Sequence, residues 1–385
     1  MKKLIFILIL AFFSCKSPNK EIDTRASSEL EELKSSIDSL FNSKIGDNEP
    51  GSAILVSYNN EILIKKAFGL RDLENDKMIS NNTNFRTGSI SKQFTALSTL
   101  DLIDKNKLAF NDSLYKFWPY QIFKDITVKH LLTHTSGLPD YSNHFEKNWN
   151  RNLIVTNENI LEWLSTNPDK MFKAGTDYEY CNTGYIVLAH LVEMLSGEPY
   201  ATYVQKNIFE KANMKNTQFF SLSNPKDIKE RAYCYEKDSL ENWNKVDGNY
   251  MNGIMGGGGM YTNIYDYYHY NNAIDKQSIL SKEIHNVIFK PNSPLIPVNE
   301  GYTFSFLNGK QQHYGMGWFV TDKIALHGGA WNGARAMVVK DLDRPLTIVV
   351  FLNFDSSEIR NELIESTYKL VEKYLKTTAN NVYKT

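Results

Sequence analysis

The sequence predicts an α+β fold: an antiparallel β-sheet built from N- and C-terminal strands, flanked by helices, with a mostly helical lobe inserted between them. Three observations carry this reading. β-Rich runs are confined to the two ends of the chain, helical periodicity dominates the middle, and no repeat or low-complexity tract splits the chain. The simplest packing puts the early hairpin into one sheet with the late strands and covers that sheet with helices. A length of 385 residues admits one large domain or two modest ones.

Along the chain, residues 1–15, "MKKLIFILILAFFSC", run from two lysines through an apolar stretch to Ser14-Cys15, the charged, apolar and small-residue order of an export signal. The apolar run falls short of the roughly twenty residues of a membrane-spanning helix. Because it ends on a cysteine, it resembles a bacterial lipoprotein signal. On that resemblance Cys15 becomes the lipidated first residue of an exported periplasmic or cell-surface protein, anchored in a bacterial membrane. Plain secretion with an incidental cysteine is the other reading. Residues 16–45 are expected as a polar tether and one helix, with Leu30, Leu33, Ile37, Leu40 and Phe41 on one stripe over 28–41.

A domain over 46–375 follows. "SAILVSYNNEILIKKAFG" reads as a hairpin turning at Asn59-Asn60. Helices are expected near 89–105, 127–134, 157–165, 183–196, 200–213 and 263–274. Long polar connections lie at 217–252 and 290–312 and are expected to supply walls of a cleft between lobes. The strand pattern returns in "YGMGWFVTD", "KIALHGG", "ARAMVVKD" and "PLTIVVFLNF", before a last helix over 357–375.

Composition excludes several functions. A net charge of −1 offers no basic field for nucleic acid. Beyond Cys15 only Cys181 and Cys234 remain, too few for a disulfide scaffold. His130 and His134 stand four apart without the Glu of a zinc-binding His-Glu-x-x-His, so a structural role is expected for both. The tyrosines at 261, 265, 267, 268 and 270 read as packing and helix surface.

Three short segments carry chemistry. In "FRTGSISKQF", a helix starting after Gly88 puts Ser89 at its N-terminus and Lys92 one turn on, along the same face. Lys92 can then take the Ser89 proton, and the helix end offers N–H groups to an oxyanion. The alternative is that Ser89 is only a helix cap. In "YCN", Tyr180 and Asn182 can aim a phenol and an amide at one point. In "HGGA", His327 precedes Gly328, Gly329 and Ala330; the glycines let a ligand approach the strand, and an exposed N–H could be a second oxyanion donor. A plain turn between strands is the alternative.

Ser-x-x-Lys, Tyr-x-Asn and a His-x-Gly strand, in that order, resemble the penicillin-recognising serine hydrolases. The branch most resembled is that of class C β-lactamases, D-alanyl-D-alanine carboxypeptidases and related esterases. "HLLTHTSGLPDY", "YCNTGYIVLAHLVE", "GGGGMYTNIYD" and "YGMGW" also look like framework segments of that branch. The resemblance spans about residues 46–375 and implies a β-lactamase/transpeptidase-like fold. It implies Ser89 as acylated nucleophile, Lys92 as base and Tyr180 as proton shuttle. Asn182 would bind a substrate amide, and His327 would take the place of the third-motif Lys. Gly328 and Gly329 would lie against substrate, and the N–H groups of Ser89 and Ala330 would form the oxyanion hole. No metal or cofactor is implied. The partners would be a small ester, peptide or β-lactam substrate and the lipid anchor's membrane.

Two departures refine this. His-Gly-Gly replaces Lys-Thr-Gly, so a hydroxyl and a permanent charge are missing, and histidine is only partly charged near neutral pH. That favours esterase or D-amino-acid peptidase work over β-lactamase or carboxypeptidase activity. Cys181 stands where a small Ser is usual, and reads as a filler turned away from substrate. A binding lipoprotein that kept the fold and lost turnover is the rival of another class, opposed by the intact Ser89, Lys92, Tyr180 and Asn182.

Overall fold

The computed structural model describes residues 19–166, 169–222 and 227–382. The apolar run and Cys15 lie outside the described residues. Seven strands form one antiparallel sheet: β1 (Ser52–Tyr58), β2 (Glu61–Phe68), β3 (His313–Tyr314), β4 (Phe319–Val320), β5 (Ile324–Trp331), β6 (Ala334–Asp341) and β7 (Leu346–Leu352). Their spatial order is β3-β4-β5-β6-β7-β1-β2. The early hairpin thus joins the late strands where β1 pairs with β7, from Ser52 opposite Leu352 to Tyr58 opposite Leu346. Asn59 and Asn60 both take positive φ, which suits the right-handed twist of a two-residue hairpin turn. β7 is buried along its whole length, hence the unbroken apolar run "LTIVVFL".

Helices cover both faces. Thr347 on β7 and Lys340 on β6, paired across the sheet, both meet Asn271 of helix Ile264–Asp275. The helices Asn19–Asn42 and Ser357–Val382 pack together on the other side. The N-terminal helix is part of this packing and not a lead-in to it: Leu33, Ile37 and Phe41 are buried, and Phe41 stacks on Phe68 of β2 at 4.9 Å. The stripe read from the sequence is therefore a core face.

Helix Ser91–Asp104 runs through the interior, with every residue from Ser91 to Leu102 buried. A helix buried on all sides shows no amphipathic stripe, and its polar residues must bond inside. Thr95 meets the Tyr200 hydroxyl and Gly256 O, and Gln93 Oε1 accepts from Tyr267. The lobe beyond it holds helices Val128–Leu132, Tyr141–Asn148, Asn157–Thr166 and Asn182–Ser196. The helix expected over 200–213 is α only for Tyr200–Val204 and then widens into a π turn over Gln205–Phe209.

A second, small sheet was not visible in the sequence. Phe85–Arg86 pairs with Met260–Thr262, which pairs with Gln218–Phe219. Two or three residues are too few to show an alternating pattern. This sheet nevertheless fixes the segment that leads into Ser89, because Thr87 N donates to Met260 O at 3.1 Å.

Candidate active site

Ser89 sits in a single 3₁₀ turn, Gly88–Ile90, that runs into helix Ser91–Asp104. The turn lies against β5 and β6. Gly88 has φ of +51°, and a Cβ there would stand 2.7 Å from Ala330 N, so only glycine fits. This close approach sets the turn that carries Ser89 against the backbone of Ala330. On β5, Gly328 N donates to the Tyr302 hydroxyl, away from β6. Ala330, two residues on, directs its N–H from the same edge of the strand. The Ser89 N–H belongs to the first turn of a helix, where donors lack intrahelical partners.

Lys92 is fully buried, and its ammonium nitrogen has three oxygen neighbours: Asn182 Oδ1 at 2.8 Å, Gly257 O at 2.9 Å and Ser89 Oγ at 3.1 Å. Desolvation pushes its pKa down to about 7, against the opposing pull of Asp140 and Cys181. A neutral amine has two N–H donors and one lone pair. Asn182 and Gly257 accept the two donors, which leaves the lone pair for the Ser89 hydroxyl.

Asn182 opens helix Asn182–Ser196, and its amide is held by Asp140: both Asn182 N and Nδ2 donate to Asp140 Oδ2, at 2.8 and 3.0 Å. That contact fixes Oδ1 toward Lys92 and leaves one Nδ2 hydrogen for a substrate. Tyr180 lies beside them, with the Lys92 nitrogen 4.9 Å above its ring. Burial pushes the phenol pKa well above its usual value, while a hydrogen bond with Ser89 pulls the other way. Tyr180 is therefore a neutral phenol at ordinary pH, able to donate a proton. Cys181, between them, turns its thiol inward to Leu138 O at 3.3 Å, and burial pushes its pKa up to about 12.

A cavity of about 280 Å³ opens at this point. Ser89, Tyr180, Asn182 and Ala330 line it, together with Arg86, Tyr141, Ile186, Met251, Ile254, the glycines 257–259 and Trp331. His327, Gly328 and Gly329 do not. His327 is 1% exposed; Nδ1 lies 2.7 Å from Gly328 O and Nε2 lies 2.9 Å from the Tyr314 hydroxyl. Desolvation, and then the charge of Lys92, pull its pKa down to about 3. The partial charge expected of this imidazole near neutral pH is thus absent, because the ring is dry and both its nitrogens are bonded within the protein. The two glycines serve packing instead. A Cβ on Gly329 would overlap Thr87 O, and one on Gly328 would stand 2.5 Å from the Tyr302 hydroxyl. The connection 290–312 lies behind β5 through Tyr302, and among the described residues of 217–252 only Met251 lines the cavity.

His134 packs its ring 4.4 Å from that of Tyr180 and accepts from Cys181 N through Nδ1, while His130 closes a capping box with Thr127. Both are structural. Sequence reasoning passed over Asp140, Gly257 and Arg86. Asp140 had a signal, since Asp before "YSNHF" marks a helix cap, and it does cap helix Tyr141–Asn148 through Ser142 N. Gly257 acts through its backbone carbonyl, which no side-chain motif reveals.

With this geometry in view, the family model described as Beta-lactamase matches residues 37–369. The chain belongs to the Beta-lactamase family. Penicillin-binding protein 4* of Bacillus subtilis (strain 168) is 28% identical to it over 334 residues, covering 82% of this chain and 71% of the relative. The octameric penicillin-binding protein homologue from Pyrococcus abyssi superposes with a TM-score of 0.73 at 23% identity, over 92% of this chain and 78% of that one. A D-amino acid amidase from Ochrobactrum anthropi SV3, complexed with L-phenylalanine amide, gives 0.70 at 18% identity, over 91% and 99%. These two structures share the fold of this Beta-lactamase-family chain.

Proposed function

We propose that the protein is an exported serine hydrolase that takes the acyl group of an ester or amide onto Ser89 and releases it to water. The observation that carries this reading is the Lys92 amine, with two hydrogen-bond acceptors for its N–H groups and its third position on Ser89 Oγ. Neutral Lys92 takes the hydroxyl proton as Ser89 Oγ attacks the substrate carbonyl carbon. The resulting oxyanion accepts from the Ser89 and Ala330 N–H groups. The proton then passes from Lys92, by way of the neutral Tyr180 phenol, to the leaving alcohol or amine as the bond to it breaks. Water attacks the acyl-enzyme, gives its proton to the same base, and Ser89 leaves as a hydroxyl.

His327 supports esters and amides over β-lactams, since a neutral, enclosed imidazole presents no cation to a β-lactam carboxylate. Kinship with penicillin-binding proteins keeps β-lactams among the substrates to test. Export with a lipid on Cys15 rests on the N-terminal sequence. It is tested by the mass of the mature N-terminus, where any start other than a lipidated Cys15 removes it. The catalytic reading is tested by kcat/KM for a p-nitrophenyl ester, a D-amino acid amide and a penicillin. Ester or amide turnover above penicillin turnover is expected. Efficient penicillin turnover would overturn the substrate ranking, and equal turnover by a Ser89→Ala variant would overturn the mechanism.

A further inference from the structure

Two arginines lie near the ring of Tyr261, and among the described residues only one of them pairs with an acid. Arg231 lies 5.1 Å from the ring centroid and pairs with Asp247 at 2.9 Å. The other oxygen of Asp247 accepts from Cys234 N, so that carboxylate is fully engaged. Arg86 lies 5.8 Å from the same ring and 4.7 Å from the ring of Trp331. It is 3% exposed, its Nε and Nη1 have no hydrogen-bond partner, and no carboxylate among the described residues pairs with it. Yet it lines the cavity at Ser89, beside Tyr141 and Trp331.

A buried guanidinium is costly unless it is paired and hydrogen-bonded. The rings of Trp331 and Tyr261 offset part of that cost by cation–π attraction and fix the plane of the group. They leave Nε and Nη1 without a partner; both are closed to solvent, so a ligand in the cavity would meet the guanidinium from its Nη2 end. Arginine is always charged and its planar donors suit a carboxylate, so the unused capacity has a definite complement. We infer that Arg86 is the anchor for a carboxylate on the acyl half of the substrate. The acyl half is chosen by position. The leaving group departs beside Tyr180 and Lys92, which deliver its proton, whereas Arg86 contacts Trp331, the residue after the oxyanion donor Ala330. The fixed cation that His327 does not provide is thereby supplied from another wall, for a different part of the substrate. This inference rests on Ser89 hydrolase chemistry only for where the acyl group lies.

The test compares p-nitrophenyl hemiglutarate with p-nitrophenyl valerate, two esters of similar size that differ in the terminal carboxylate. Wild type should favour the hemiglutarate in kcat/KM by about tenfold or more, the scale of one charge-assisted contact. Arg86→Gln should remove that ratio, whatever loss both esters share, and Arg86→Lys should keep part of it. A merely structural Arg86 would lower both rates together and leave the ratio unmoved. In a second arm, calorimetry on Ser89→Ala protein compares methyl hemiglutarate with methyl valerate, with and without Arg86→Gln. Tighter binding of the hemiglutarate that vanishes with Arg86→Gln supports the inference, even if no ester is hydrolysed. No preference in wild type, or a preference that survives Arg86→Gln in both arms, overturns it. Loss of valerate turnover in wild type would instead count against the Ser89 mechanism.

Discussion

Lys92 and His327 are both basic, both buried and both next to the turn that carries Ser89, yet they face opposite ways chemically. Lys92 stands on the helical side of the cavity, where Asn182 Oδ1 and Gly257 O hold two of its hydrogens and leave the third position on Ser89. His327 stands on the strand side, where Gly328 O and the Tyr314 hydroxyl use both ring nitrogens and leave nothing for a ligand. Desolvation lowers both pKa values, to about 7 and about 3. For Lys92 that shift puts a neutral base within reach of ordinary pH. For His327 it removes the only charge the residue could have offered. On the proposed mechanism, burial makes a base only where a hydrogen-bonding position is left for Ser89.

The strongest way to break this contrast is at Ser89. Ser89→Ala should reduce ester hydrolysis by on the order of 10⁴ or more, as for other covalent nucleophiles. Lys92→Ala should fold and lose on the order of 10² to 10⁴, the range of a general base. Retention of wild-type rate by either would show that the open position on Lys92 has no catalytic meaning.

The pH profile sharpens the contrast. Lys92 must be neutral to accept a proton, so kcat/KM for an uncharged ester should rise with pH through about 7 and then level. The Asp140 carboxylate favours the ammonium form, so Asp140→Asn should move that limb to lower pH, with a loss of about tenfold as Asn182 loses its anchor. A limb that moved upward, or stayed still, would contradict the assigned pair. The smallest effect on rate is expected at His327. His327→Gln should leave the ester-to-penicillin ratio within a few-fold of wild type. It should cost stability of about 1 to 3 kcal/mol, seen in urea unfolding, because Tyr314 and Gly328 lose a buried partner. A large change in that ratio would put His327 back against the substrate.

The same contrast explains what could be read in the sequence. The large sheet was legible because β1 and β5 to β7 are seven or eight residues long and bounded by turns such as Asn59-Asn60. Ser89, Lys92, Tyr180 and Asn182 were legible as residue types at fixed spacing on helix starts. The environment that the proposed mechanism needs around them was not. Asp140 and Gly257 come from segments 42 residues before and 75 residues after Asn182, and only the fold brings them together. For His327 the motif pointed at the right strand, but the direction of its ring depends on Tyr314, thirteen residues away. Gly329 was expected to make room for a ligand and makes room for Thr87 O, which a pattern of glycines cannot distinguish.

The central claim is that Ser89 Oγ becomes the acylated atom with Lys92 as its base. Intact-mass spectrometry tests it most directly, on wild type, Ser89→Ala and Lys92→Ala, each quenched in acid after seconds with p-nitrophenyl acetate at pH 8. The account predicts one added acetyl mass in wild type, mapped to the peptide carrying Ser89, and little or none in either variant. An acetyl group on another residue, or equal labelling of the Ser89→Ala protein, would contradict it.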